Sequence, residues 1–266
     1  MIQKLISLPA FGCLALMAVS PFAPGGENAG SAFTAETAVP VETPFAPAPS
    51  PAGEENPSLA ARVEAGEIVW LSDWSPGKKG EVPDGWELDD KKKPIEMELS
   101  GRGEDSVLRL RSRDSAFGVY REQGIKIREY PFLNWEWKVT ELPVGGSFLD
   151  KDTDDQAAQV YVSFGSLSFF NKPFVKAVGY YWSSTVPVGT EGECPTWSKS
   201  RAIVLRSGKK ELGQWQREKR NVAEDYRRLF GDDPPDKASA LRLYTNSQHT
   251  GTGTEVSFRN IYFSRE

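Results

Sequence analysis

Between residues 106 and 264 the chain changes polarity at every second position, again and again. Only an extended strand puts residues i, i+2 and i+4 on one side, so this pattern constrains the fold more than any other feature. In LNWEWKV, Leu133, Trp135, Trp137 and Val139 take one face, and Asn134, Glu136 and Lys138 the other. In AAQVYVSF, Ala158, Val160, Val162 and Phe164 oppose Gln159, Tyr161 and Ser163. SVLRLRS, GYYWSS, AIVLRS and ALRLYTN continue the series. In the closing EVSFRNIYF the apolar residues switch from even (Val256, Phe258) to odd (Ile261, Phe263), which predicts a β-bulge near Asn260.

One helix interrupts this pattern. In RNVAEDYRRLFG, Asn221 is an N-cap, Glu224 has the capping-box spacing, and Gly231 suits the C′ position. Val222, Tyr226, Leu229 and Phe230 form its apolar stripe, and Asp225 is placed on the solvent side or paired with Arg228. Many short strands without βαβ alternation predict an all-β fold. It is a two-sheet antiparallel, jelly-roll-like sandwich with one short amphipathic helix near 221–230.

The strands do not extend to the N-terminus. Residues 1–23 read as a secretory signal peptide, with Lys4 before an apolar run too short to span a bilayer. AFGC, ending at Cys13, resembles a lipoprotein cleavage box, but Phe11 stands where a small residue is required. Residues 24–65 are rich in Pro and Ala and read as a disordered tether. All 8 tryptophans fall in the remaining segment, 66–266, the expected β-sandwich domain. No transmembrane span is expected in the mature chain, and the location is periplasmic or secreted.

A net charge of −5 argues against a nucleic-acid partner. The 2 cysteines, Cys13 and Cys194, exclude a disulfide framework and a thiolate metal cluster. One histidine, His249, leaves nothing for a His-rich zinc site and little for a nucleophilic triad.

DKDTDD, Asp150 to Asp155, invites comparison with an EF-hand. That loop needs Gly sixth and Glu twelfth, where this chain has Asp155 and Tyr161. A different Ca²⁺ site stays open, with Asp150, Asp152 and Asp154 as oxygen ligands; otherwise the aspartates cap backbone amides. No other cofactor is expected.

Strand parity groups Asp155, Gln159 and Tyr161 on a non-core face, joined by Glu136 if the two strands are neighbours. Arg242, Tyr244 and Asn246 lie on the polar side of ALRLYTN, with His249 just beyond it. Such a face suits a sugar, because amides and carboxylates bond hydroxyls and aromatic rings cover C–H faces. The plain alternative is the wet side of a sheet. Trp135 and Trp137 are assigned to the core. Trp182, Trp197 and Trp215 are candidates for stacking on a ligand. Residues 183–200 have no periodicity and are expected to form a long loop.

NWEWKV, DTDDQAAQVYVSF, GYYW, RNVAEDYRRLFG and LRLYTNSQHTGTGTEVSFRNIYF occur in that order over about residues 68–264. In combination they resemble the bacterial domain-of-unknown-function family 3047. The resemblance implies an exported β-sandwich and says nothing of an activity. Gln159 departs from the family pattern, which has arginine there, and Asn246 to His249 stand where acids are usual.

Together these features predict an exported ligand-binding domain for a carbohydrate or cell-envelope glycan. Two alternatives remain: a polysaccharide-acting hydrolase or lyase using Asp154 and Asp155, and an envelope protein-interaction module. Binding is expected ahead of catalysis.

Overall fold

The computed structural model describes residues 57–74, 81–165 and 175–266. The predicted signal peptide, residues 1–23, lies outside them, as does the predicted tether up to residue 56. The end of that tether is not irregular. Residues Leu59–Glu64 form helix α1, capped by Ser58, whose Oγ accepts the Ala61 N–H.

The first sheet contains β3 (Glu96–Ser100), β4 (Val107–Arg113), β13 (Gly253–Ser264), β6 (Phe132–Glu141) and β11 (Gln216–Asn221), in that spatial order. The short β1 (Ile68–Trp70) pairs with the C-terminal part of β13. The second sheet has seven strands in the order β2 (Glu87–Lys92), β5 (Ala116–Lys126), β12 (Lys237–Asn246), β7 (Ala158–Phe164), β8 (Lys176–Ser183), β10 (Trp197–Ser207) and β9 (Glu191–Cys194). The sheets face each other in a jelly-roll-like sandwich.

One departure from an all-antiparallel sandwich lies in the stretch expected to be a loop. Residues 191–194 form β9, and β10 begins at Trp197. β10 inserts between β9 and β8 and therefore runs parallel to β8. Alternation is weak there because Val186, Cys194 and Trp197 pack on a second, smaller apolar cluster outside the main core.

The main core contains the residues that parity places inside. Leu133, Trp135, Trp137 and Val139 of β6 are buried with Val160, Val162 and Phe164 of β7. Trp135 packs on Tyr180 at 5.3 Å, and Trp137 meets Trp182 edge-on at 5.9 Å. Each such pair contributes about 0.5–1.5 kcal/mol beyond the burial of its area.

The bulge is present. The register of β13 against β6 jumps between Arg259 and Tyr262, and Asn260 has φ of 53°. An extra residue in the left-handed region suits Asn better than most residues.

Helix α2 (Val222–Phe230) is capped as predicted: Asn221 Oδ1 accepts the Glu224 N–H, and Gly231 is left-handed. Asp225 does pair with Arg228, but it is buried rather than on the solvent side. It also accepts from Tyr180 Oη at 2.8 Å and Arg220 Nε at 3.0 Å.

Candidate functional site

The face of the second sheet turned away from the core carries most of the residues singled out by parity. Antiparallel register aligns Glu87, Tyr120, Arg242, Tyr161 and Gly179 in one row across β2, β5, β12, β7 and β8. The next row is Asp89, Gly118, Tyr244, Gln159 and Tyr181. The glycines have a geometric purpose. A Cβ on Gly179 would lie 2.9 Å from Tyr181 and 3.0 Å from the Tyr161 ring. One on Gly118 would lie 2.8 Å from the Tyr244 ring and 2.0 Å from the Leu243 carbonyl. Glycine inside a strand marks such close approach, here of rings lying across the sheet.

A continuous hydrogen-bond chain crosses this face. Tyr181 Oη is 3.1 Å from Cys194 Sγ and 2.7 Å from Tyr161 Oη. Tyr161 Oη donates to Gln159 Oε1, whose amide Nε2 donates to Asn246 Oδ1 at 2.6 Å. Asn246 Oδ1 also accepts the Gln156 N–H at 2.9 Å, and its Nδ2 donates to the Asp154 carbonyl. Gln159, Asn246 and Tyr161 thus engage one another. Burial, foremost, holds the phenols of Tyr161 and Tyr181 well above the ordinary tyrosine range, and it pushes the Cys194 thiol up to about 11. Cys194 is therefore a neutral member of the chain and not a thiolate.

Arg242 stands apart from this chain. Its guanidinium carbon lies 3.8 Å from the Tyr244 ring centroid and 5.3 Å from that of Tyr161. Asp89 Oδ2 is 2.6 Å from Nε, yet neither Nε nor Nη2 has a hydrogen-bond partner among the described residues. Asp89 is the ion-pair partner of Arg242, and both of these nitrogens are shielded from solvent. Burial works against the charge of Arg242, but Asp89 and the surrounding tyrosines more than offset it, so Arg242 stays a cation. About 14% of its side chain meets solvent.

The adjacent aspartates behave in opposite ways. Asp155 has 0% side-chain exposure. It accepts the Thr250 N–H at 2.7 Å, the His249 N–H at 3.2 Å, and faces His249 Nδ1 at 3.2 Å. Burial raises its pKa, but these bonds outweigh burial and leave it below the usual carboxylate range. The Asp155 hydrogen bond in turn raises His249 above the ordinary imidazole value. Asp154 accepts from Gln156 Nε2 at 3.0 Å and Thr196 Oγ at 3.1 Å, and here burial wins and raises the pKa.

Asp150 and Asp152 lie outside this cluster, where Asp150 Oδ1 accepts the Asp152 N–H at 2.9 Å in a local turn. The predicted trio Asp150, Asp152 and Asp154 therefore does not converge. Among the described residues no three His, Cys, Asp or Glu side chains are grouped to hold a metal ion, Ca²⁺ included.

Two residues expected on this face are elsewhere. Glu136 is on the outer face of the opposite sheet, because β6 and β7 belong to different sheets. There it binds Arg259 at 2.7 Å, Arg217 at 2.9 Å and Asn260 Nδ2 at 3.2 Å. Trp182 lies between the sheets, packed on Trp137. Of the other tryptophans, Trp197 packs beside the second cluster, and Trp215 lies under Arg259 on the first sheet, 4.1 Å from the guanidinium carbon. Parity did not anticipate Tyr181, Tyr120 or Asp89. The glycine in GYY is the signal that would have found Tyr181.

The model of the family "Protein of unknown function (DUF3047)" matches residues 74–262. The chain belongs to this family. No curated protein matches this chain. Among solved structures, the fold is similar to the xyloglucanase domain of a type three effector from Sinorhizobium fredii, solved with cellobiose. That match has 15% identity and a TM-score of 0.38, covering 73% of this chain and 99% of that one. It is also similar to the family 11 carbohydrate-binding module of a Clostridium thermocellum cellulosomal cellulase (7%, TM-score 0.37, 73% and 96%). A thermostable cellulase derived from Rhodothermus marinus matches at 9%, with TM-score 0.41 and coverage of 71% and 94%. The chemistry available to the DUF3047 domain is read from its own residues: a set of ring faces, one cation paired with Asp89, and an Asp–His pair at the end of the face.

Proposed function

We propose that the chain is an exported, periplasmic or secreted, binding domain that takes a carbohydrate or cell-envelope glycan on the outer face of its second sheet. The observation that carries this is the set of tyrosine rings on that face, with the Arg242 guanidinium 3.8 Å from the Tyr244 ring centroid and 5.3 Å from that of Tyr161. Ring faces cover the C–H side of a sugar, and a guanidinium bonds its oxygens. Gln159, Asn246, Asp155 and His249 support the face by fixing its end and its backbone.

Isothermal titration of the full chain against neutral and acidic oligosaccharides tests the reading. Saturable heat that Arg242→Gln abolishes supports it. Absence of binding across the whole panel would sink it. Fractionation of expressing cells tests the compartment, with recovery only in the cytoplasm counting against export.

A second reading, a polysaccharide hydrolase or lyase, is favoured by Asp154. Burial holds its proton beyond the ordinary range, as a general acid requires. It predicts release of reducing ends from a glycan and loss of that release in Asp154→Asn.

A further inference from the structure

We propose that the outer face of the first sheet is a separate binding surface, and that it takes an acidic polysaccharide on Lys138, Arg217, Lys219 and Arg259. This does not rest on the binding reading above, which concerns the other sheet.

Strands β11, β6 and β13 bring these cations together. Register sets Arg217, Glu136 and Arg259 in one row across the three strands. Lys219 is two residues from Arg217 on β11, and Lys138 two from Glu136 on β6, so both stand on the same face. Glu136 Oε1 accepts from Arg217 Nη2 at 2.9 Å and its Oε2 from Arg259 Nε at 2.8 Å, so two guanidinium groups share one negative charge. Lys138 and Lys219 form no ion pair among the described residues. Their ammonium groups lie against rings instead, 4.9 Å from Trp215 and 4.7 Å from Phe132. Arg259 also rests on Trp215, and the side chain of Arg217 is 82% exposed. The rings and Glu136 hold these cations in place, which lowers the cost of ordering them on a ligand. Four cations against one carboxylate make a local excess of positive charge on a chain whose net charge is −5.

The other carboxylates of these strands are engaged elsewhere. Glu218 accepts from Arg206 Nε and Trp137 Nε1, Glu255 from Thr140 Oγ1, and Glu141 is forked with Arg113. Edge protection explains part of the pattern, since charges on β11, the last strand of the sheet, block pairing with another chain. It does not explain Lys138 and Arg259, which lie on interior strands. Positions two apart on a strand are about 7 Å apart, and neighbouring strands about 5 Å, so a chain with a carboxylate on each sugar meets several of these cations at once. A bilayer or a protein partner would bury apolar side chains, and β6, β11 and β13 expose no large one. A long, stiff polyanion such as duplex DNA would run past the patch over a chain of negative net charge. A short, flexible acidic glycan needs only the patch.

The test is calorimetric titration of the full chain with alginate and polygalacturonate oligomers. Binding is expected, and it should weaken roughly tenfold between about 50 mM and about 300 mM NaCl, because exposed charges are screened. Lys138→Gln/Lys219→Gln should weaken it by a further factor of roughly ten, from two exposed ion pairs. Lys151→Gln/Lys199→Gln removes the same charge from exposed lysines in the loop before β7 and on β10, and should change affinity less than about twofold. Near-UV circular dichroism checks that each variant keeps its tertiary packing. Equal losses from the two pairs would reduce the effect to net charge and overturn the assignment, as would absence of binding at the lower salt. Tighter binding to phosphatidylglycerol vesicles or to duplex DNA than to either oligomer would overturn the choice of partner. Cellohexaose, which is uncharged, probes the second sheet; its heat should be the same in all variants, and its loss in Lys138→Gln/Lys219→Gln would overturn the separation of the two surfaces.

Discussion

Replacing Asp155 by asparagine takes one charge and one acceptor oxygen from a side chain that is fully buried. In the native protein Oδ2 accepts the Thr250 N–H at 2.7 Å, and Oδ1 accepts the His249 N–H and faces Nδ1, both at 3.2 Å. An asparagine amide has one acceptor, so one of the two backbone N–H groups then faces an NH₂. An unmet buried donor costs about 1–3 kcal/mol, and loss of charge from the surviving bond removes about 1 kcal/mol more. The expected loss is about 2–4 kcal/mol, large beside the roughly 5–15 kcal/mol typical of a whole domain. For a domain of this size that lowers Tm by roughly 4–16 °C.

The pH dependence has a definite sign. The folded pKa of Asp155 is below the ordinary 3.8, so its contribution is present above 3.8 and lost as pH falls through the lowered value. The folded pKa of His249 is above the ordinary 6.5, chiefly through its bond to Asp155. Its contribution is present below 6.5 and lost as pH rises through the raised value. The gap between wild type and Asp155→Asn is therefore widest between 3.8 and 6.5, and it narrows at higher pH without closing. Urea denaturation followed by tryptophan fluorescence at pH 5, 7 and 9 measures it. Asp154→Asn is the control. The raised pKa of Asp154 means that its charged form is disfavoured in the fold, so removing the charge offsets the acceptor oxygen lost to Gln156 or Thr196, and the net loss at pH 7 should be well below that of Asp155→Asn. Equal losses from the two substitutions, or an Asp155→Asn gap that widens from pH 5 to 9, would refute the reasoning.

Two further outcomes follow from the packing. Gly118→Ala drives a Cβ to 2.0 Å from the Leu243 carbonyl, which is backbone and cannot yield, so it should destabilise by about 3 kcal/mol or more. Gly179→Ala meets only ring edges and should lose less while changing the near-UV circular dichroism of the tyrosines; identical losses from both would contradict this. Cys194 is buried, and its thiol is pushed up to about 11, so Ellman's reagent at pH 8 should label it only as fast as the domain opens. Immediate labelling of native protein would contradict that placement.

The side of each strand was legible wherever one face is polar. Leu241 and Leu243 alternate with Arg242 and Tyr244, and Val160 and Val162 with Gln159 and Tyr161, so parity sorts β12 and β7 correctly. In β8 it fails, because Tyr180, Tyr181 and Trp182 are all buried and both faces are covered. Trp182, at the border of the aperiodic segment 183–200, looked available for a ligand when it belongs to the core. Glu136 shows a different limit. Its side of β6 was right, but parity says nothing about which sheet a strand joins, and β6 and β7 lie in opposite sheets although they follow one another in sequence. The same non-local step hid Asp89, which reaches Arg242 across a register set by β5 between them.

The acidic run before β7 shows how a polar cluster can be structural and still shape a site. Asp155 holds His249 and Thr250, in the connection from β12 to β13, and so fixes where β12 ends. The Asp154 carbonyl and the Gln156 N–H hold Asn246, the last residue of β12, and Asn246 holds Gln159. Gln159 then accepts from Tyr161, whose ring faces Arg242. The aspartates thus reach Arg242 through backbone and amides rather than by charge. Loosening them should blur the position of the guanidinium without removing it. A binding defect in Asp155→Asn that scales with its loss of stability would mark the aspartate as support for the face rather than as a contact to the ligand.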